Sequence, residues 1–200
     1  GSPVEMPWLD QCKALVHGYL GGQAAAAAHL KVITGQVNPS GKLAESYPMR
    51  YEDAPNVSYF PGRERTTEYR EGLYVGYRYY ETAEIPVRFP FGFGLSYTTF
   101  SYSNLTVSQK EAVFTITNTG DMDGAEIAQL YISAKHSWVF RPAKELKGFR
   151  KVFLKSGESR KVIIPLDEYT FRYYNIKTGR FETEGGGIRC FDRRIFNGYP

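Results

Sequence analysis

Between Arg63 and Glu71, three carboxylates (Glu64, Glu68 and Glu71) are interleaved with three guanidinium groups, Arg63, Arg65 and Arg70. Two carboxylates in one site, one of them steadied by arginine, are the equipment of general acid–base catalysis. The same interleaving also describes a salt-bridged surface, where ion pairs are common and individually weak. The surface is the commoner outcome and is the expectation here. Other reactive side chains are scattered. His17, His29 and His136 lack ligand-like neighbours, so no metal site is expected. Cys12 and Cys190 stand far apart without metal or redox spacing, and buried or incidental thiols are expected, a single bridge between them remaining open. No Gly-x-Ser-x-Gly elbow signals a serine esterase. Ser137-Trp138 offers an aromatic loop that could stack on a sugar ring, although a domain contact or partial burial is the commoner fate of such a tryptophan.

The whole chain sets limits on partners. Its 200 residues carry a net charge of only +4, with basic and acidic residues mixed along most of the length. No basic run long enough for nucleic acid or a membrane surface is present. No apolar run approaches the roughly 18 residues a spanning helix needs. No signal peptide is visible, which leaves periplasmic, secreted and cytoplasmic locations open. Aromatic residues make up 16%, a richness that suits strands first and sugar-facing surfaces second.

Three regions must position these groups. Residues 1–48 read as an incomplete α/β unit. Leu9, Cys12, Leu15, Val16 and Tyr19 recur at helical spacing. Gly21-Gly22 interrupts before five alanines, which predicts two helices or one kinked helix between Trp8 and about Gly35. Asn38-Pro39-Ser40-Gly41 is turn chemistry, and Leu43–Tyr47 reads as a short strand stopped by Pro48. One helix and one strand cannot cover each other's apolar faces. Residues 49–99 show little periodicity and many prolines and aromatics, predicting a packed interdomain linker. From Phe100 the pattern becomes short alternating runs: Ser101–Val107, Ala112–Thr117, Ala125–Ser133, Lys144–Leu154, Arg160–Leu166 and Thr170–Tyr174. Turn residues separate them at Asn118-Thr119-Gly120-Asp121, Lys155-Ser156-Gly157-Glu158 and Lys177-Thr178-Gly179-Arg180. An antiparallel β-sandwich is expected, so the fold class is mainly β with an α/β segment in front.

Five signatures occur in a fixed order. They are Asn38-Pro39-Ser40-Gly41-Lys42-Leu43, Tyr69-Arg70-Glu71-Gly72-Leu73-Tyr74-Val75-Gly76-Tyr77-Arg78-Tyr79-Tyr80, Phe89-Pro90-Phe91-Gly92-Phe93-Gly94-Leu95-Ser96-Tyr97-Thr98-Thr99-Phe100, Thr115-Ile116-Thr117-Asn118-Thr119-Gly120 and Glu145-Leu146-Lys147-Gly148-Phe149. In this order and spacing the chain resembles the C-terminal part of glycoside hydrolase family 3, from roughly residue 1 to 186. The resemblance implies that residues 1–48 end an α/β sandwich domain and that residues 100–186 form a fibronectin type III-like domain. It also implies a retaining β-glycosidase acting on terminal non-reducing β-linked sugars, with one carboxylate as nucleophile and another as acid and then base. Those two family carboxylates fall outside the matched positions. No catalytic residue is therefore assigned in this segment, no substrate-binding residue is identified, and no metal or cofactor is expected. The expected partners are β-linked oligosaccharides or glycosides acting through the complete enzyme, its remaining domains, or a second copy. A carbohydrate- or protein-binding module without catalysis is the alternative, and a free-standing hydrolase built on Glu64–Glu71 is a third reading. Residues 187–200 depart from the family pattern and look foreign, like a vector-derived or frame-shifted terminus, which predicts a missing last strand and an open sheet edge.

Overall fold

The computed structural model describes residues 2–62, 64–185 and 187–191. They fall into two compact units, Gly1–Leu95 and Ser96–Pro200.

In the first unit the helix expected from Trp8 onward is largely absent. Single 3-10 turns occupy Leu9–Gln11 and Gly22–Ala24, and only α1 (Ala25–Ile33) is α-helical. The reason lies in the intervening residues. Gly18, Gly21 and Gly22 each weaken a helix by about 1 kcal/mol relative to alanine. Tyr19 and Gly22 moreover take left-handed φ values of 46° and 62°, which a right-handed helix excludes. Apolar recurrence over so short a run did not separate helix from extended chain. The alanines, with the best helix propensity of all residues, carry α1 instead. It closes at Gly35, whose N–H donates to Val32 O at 3.0 Å in a left-handed turn.

The strand expected over Leu43–Tyr47 and stopped by Pro48 is shorter, and it takes in the proline. β1 (Tyr47–Pro48) pairs antiparallel with β2 (Val87–Phe89). Between 49 and 99, where little regular structure was expected, there is also α2 (Tyr77–Thr82), which buries Tyr77 and Tyr80. Strand periodicity was illegible in β2 because three residues are too few to alternate.

The second unit is the expected sandwich. One sheet has the order β3 (Phe100–Val107), β4 (Glu111–Asn118), β7 (Ser159–Pro165). The other has β10 (Ile188–Phe191), β5 (Gly124–Ala134), β6 (Glu145–Leu154). All pairings are antiparallel, so the inward side chains of alternate positions meet between the sheets. Tyr102, Phe114, Ile116, Leu130, Val152, Leu154, Val162 and Ile164 form that core. A separate hairpin joins β8 (Arg172–Asn175) to β9 (Arg180–Thr183). The open edge expected beyond residue 186 is overturned for its described part. Ile188–Phe191 pair with Ala134–Tyr131 of β5, and Cys190 packs against the core. Residues 192–200 of the anticipated tail lie outside the described residues.

Candidate functional site

The described charged residues ahead of α2 lie in water, apart from half-buried Glu71. Glu68 pairs with Arg70, both side chains being largely exposed, and Arg70 also lies over the Tyr59 ring at 5.7 Å. Glu64 and Arg65 are exposed as well, and Glu71 uses its backbone carbonyl to accept the Tyr74 N–H at 2.9 Å. Arg63 lies outside the described residues. The pairing is that of surface charge, not of an enclosed acid and base.

The glycine-rich signatures converge on one another. Lys42 Nζ donates to Gly94 O at 2.7 Å, while Leu43 exchanges backbone hydrogen bonds with Phe93 O and Gly92 N, each at 2.7 Å. A Cβ on Gly94 would stand 2.2 Å from Gly41 O, so only glycine permits this approach. The Phe91 N–H donates to Ser46 Oγ at 3.1 Å. The Phe91 ring stacks on Tyr77 at 4.8 Å, which brings the tyrosine-rich signature into the same assembly. Three motifs separated in sequence thus form one clasp of backbone bonds and aromatic rings.

The Thr115–Gly120 signature is a second knot, centred on Asn118 at 0% exposure. Its Oδ1 accepts from Thr98 Oγ1 at 2.7 Å and from the Gly120 N–H at 3.2 Å. Its Nδ2 donates to Met122 O at 2.8 Å and to Leu154 O at 3.2 Å. Every donor and acceptor of the amide is used, tying β4 to the start of β3, to the β4–β5 turn and to the end of β6. Gly120 is required there because a Cβ would meet Thr98 Oγ1 at 2.4 Å.

Of the histidines, His17 Nε2 shares a 2.8 Å hydrogen bond with the Tyr47 hydroxyl. Burial foremost, together with Tyr19 and Glu45 nearby, pushes the Tyr47 phenol up to about 12. His136 is exposed in the β5–β6 connection. Among the described residues no group of three His, Cys, Asp or Glu side chains could hold a metal ion. Both cysteines are free thiols: Cys12 is exposed, and burial pushes the thiol of half-buried Cys190 up.

The β5–β6 connection, residues 135–144, holds the remaining candidate. Glu184 accepts hydrogen bonds from Ser137 Oγ at 2.7 Å and from the Trp138 N–H. Arg141 reaches Glu184 at 3.7 Å and Glu145 at 3.3 Å, Glu145 also meets Lys147 at 3.5 Å, and Arg141 lies over the Tyr173 ring at 5.6 Å. Burial raises the Glu184 carboxyl, but the Ser137 hydroxyl, the Trp138 N–H and Arg141 together outweigh it and hold the group below the ordinary carboxylate range. The sequence drew attention to Trp138 but not to Glu184 or Arg141, because nothing local links residues so far apart.

Taken as a class, the second unit is a fibronectin type III-like domain, and that family model matches residues 126–191. The glycosyl hydrolase family 3 C-terminal domain matches residues 1–97. The chain is 48% identical over 93% of its length to thermostable β-glucosidase B of Acetivibrio thermocellus, and 45% identical over 90% to an exo-α-(1→6)-L-arabinopyranosidase of Bifidobacterium breve. The crystal structure of the Kluyveromyces marxianus β-glucosidase in complex with glucose superposes with a TM-score of 0.90 at 41% identity, covering 96% of this chain and 24% of that one. A glycoside hydrolase family 3 β-glucosidase of Bifidobacterium adolescentis gives 0.88 at 43% identity, over 93% of this chain and 28% of that one. The chain belongs to glycoside hydrolase family 3. It spans about a quarter of the length of the curated relatives, 26% and 24% for the two named.

Proposed function

We propose that this chain is the C-terminal portion of a retaining β-glycosidase, β-glucosidase-like, that hydrolyses terminal non-reducing β-linked sugars. In that enzyme residues 1–48 end the α/β sandwich domain, residues 49–99 bridge, and residues 100–186 form the fibronectin type III-like domain. The segment supplies packing and scaffold, while the nucleophile and the acid/base carboxylate reside in the rest of the enzyme. The observation that carries this reading is the role of the family signatures. Lys42, Gly94, Phe91 and Tyr77 hold one another, and Asn118 holds four separate backbone and side-chain groups. Motifs spent on tying chain to chain are scaffold. The sugar is chosen elsewhere, as fits relatives whose names include both β-glucosidases and an arabinopyranosidase.

The test is a chimera. This chain replaces the matching quarter of the Acetivibrio enzyme, and hydrolysis of a nitrophenyl β-glucoside is followed beside that of the 200-residue chain alone. Turnover by the chimera and none by the chain is expected, since loss of both carboxylates forfeits many orders of magnitude in rate. Turnover by the chain alone that Glu71→Gln abolishes would overturn the proposal in favour of the Glu64–Glu71 cluster.

A further inference from the structure

The connection between β5 and β6 holds two large aromatic side chains in water, Trp138 at 90% exposure and Phe140 at 78%. Between them Val139 is half buried, and Pro142 beyond them is buried, so the loop is seated by its small apolar residues and presents its large ones. It is also anchored. Glu184, at 8% side-chain exposure, receives Ser137 and the Trp138 N–H and pairs with Arg141. The Lys135 N–H donates to Gly187 O at 2.9 Å, at the entrance to β10. Folding alone does not account for this combination. An exposed indole contributes nothing to the core, and two large aromatics two residues apart on one anchored loop are not the singly scattered apolar residues that need no explanation.

We infer that Trp138 and Phe140 form a carbohydrate-stacking site on the fibronectin type III-like domain, taking a β-linked gluco-oligosaccharide. This inference rests on the reading of the chain as part of a β-glycosidase. Three features favour a sugar. An aromatic face with an N–H at its edge suits a ligand that is apolar on one side and hydroxylated at its rim. The surroundings are hydrogen-bonding side chains (His136, Ser137, Glu184 and Arg141), not the contiguous apolar area that a protein partner would require. The clamp is electrically balanced, with Arg141 and Lys147 against Glu184 and Glu145, which matches a neutral ligand. Fixing the loop before binding removes the ordering cost that a weak sugar contact could not overcome.

The site is tested by titrating the full chain, carrying Trp8→Phe so that Trp138 is the sole indole, with cellotetraose while following fluorescence. A saturable change at roughly millimolar sugar is expected, as for a small exposed site. Trp138→Ala, read by calorimetry, should weaken binding about tenfold, Phe140→Ala less, and Glu184→Gln several-fold through loosening of the loop. An unchanged far-ultraviolet spectrum shows that each variant is folded. Absence of saturable binding by the parent, or binding unaffected by Trp138→Ala, overturns the inference. So does a Trp138→Ala variant that changes sedimentation of the chain but not sugar binding, since the loop would then meet a second copy. Hydrolysis by the chimera described above, with no binding by this chain, would defeat this site and leave the proposed function intact.

Discussion

In the sandwich the inward apolar side chains of the two sheets are covered by their own unit; between Val4 and Val37 most apolar side chains are not. In the sandwich, Ala112, Ile116 and Leu154 lose all contact with water. In the N-terminal region Leu15, Val16, Leu20, Leu30, Ile33 and Val37 stay exposed, and α1 buries none of its residues. The N-terminal stretch is no less apolar in sequence than the sandwich. The difference is one of layers: the sandwich has two sheets facing each other, whereas α1 and the chain around it have no second layer among the described residues. An apolar pattern states that a face will be covered, not which residues will cover it.

The largest effect is expected where the sandwich has no slack. Asn118→Ala leaves Thr98, Gly120, Met122 and Leu154 without the amide that joins them, and buried polar groups stripped of partners cost about 1–3 kcal/mol each. A loss of about 4 kcal/mol, allowing for partial re-pairing, is the expected outcome of urea denaturation. Leu154→Ala, at a fully buried position of the core, should cost about 2–5 kcal/mol. If either change left the midpoint unmoved, the sandwich would not be the stable half of the molecule.

A smaller loss is expected in the first unit. Gly94→Ala drives a Cβ against Gly41 O and breaks the Lys42–Gly94 clasp. About 1–3 kcal/mol of local stability should go, the ordinary cost of overpacking. Hydrogen exchange would register it as faster amides around Leu43 and Phe93 with those of β4 and β5 unchanged. Equal acceleration in both units would show that the two are coupled and that the contrast drawn here is too sharp.

The same contrast explains what could be read from sequence. The strands β3 to β7 of the sandwich were legible because their runs extend over six or more residues, and turn chemistry such as Asn118-Thr119-Gly120 punctuates them. The segment Trp8–Leu20 was misread because its pattern is too short to fix a period, and because Gly18 and Gly22 and the left-handed Tyr19 bend it locally. The partner of β1 was invisible: Val87–Phe89 is brief, distant and flanked by prolines. The last strand was expected to be missing, because its residues depart from the family pattern, yet backbone pairing with β5 requires only an extended chain. The clamp around Trp138 escaped for another reason, being an ion-pair network assembled by tertiary structure from Glu184, Arg141 and Glu145.

On α1, Leu30→Gln with Ile33→Gln should change stability by no more than about 0.5 kcal/mol, as exposed substitutions do. Association is the more sensitive readout. Exposed apolar surface favours self-association at about 25 cal/mol per Å² covered. Light scattering over a dilution series should therefore show larger species for the parent chain than for the double variant. A monodisperse 22.7 kDa parent at high concentration would show that the exposed face is no liability.

The smallest expected effect is a titration confined to the β5–β6 loop. Glu184 is held below the ordinary carboxylate range, burial being outweighed by the Ser137 hydroxyl, the Trp138 N–H and Arg141. A carboxyl whose folded value is depressed contributes stability above its unfolded value of about 4.3, and that contribution disappears as pH falls through the lower folded value. Acidification below about pH 4 should therefore release the Trp138 N–H and free Arg141 to Glu145 alone. The indole emission of the Trp8→Phe chain would shift while the far-ultraviolet spectrum of the sandwich holds. Asp167 and Glu158 are also held low, Asp167 chiefly by the Thr170 hydroxyl and Glu158 chiefly by the Lys155 N–H, so general acid loosening begins in the same window. Glu184→Gln separates the two: the amide keeps the size but does not titrate, so the loop signal should vanish while the general loosening persists. An acid shift of Trp138 emission that survives Glu184→Gln would mean that the loop follows the sandwich and is not set by its own clamp.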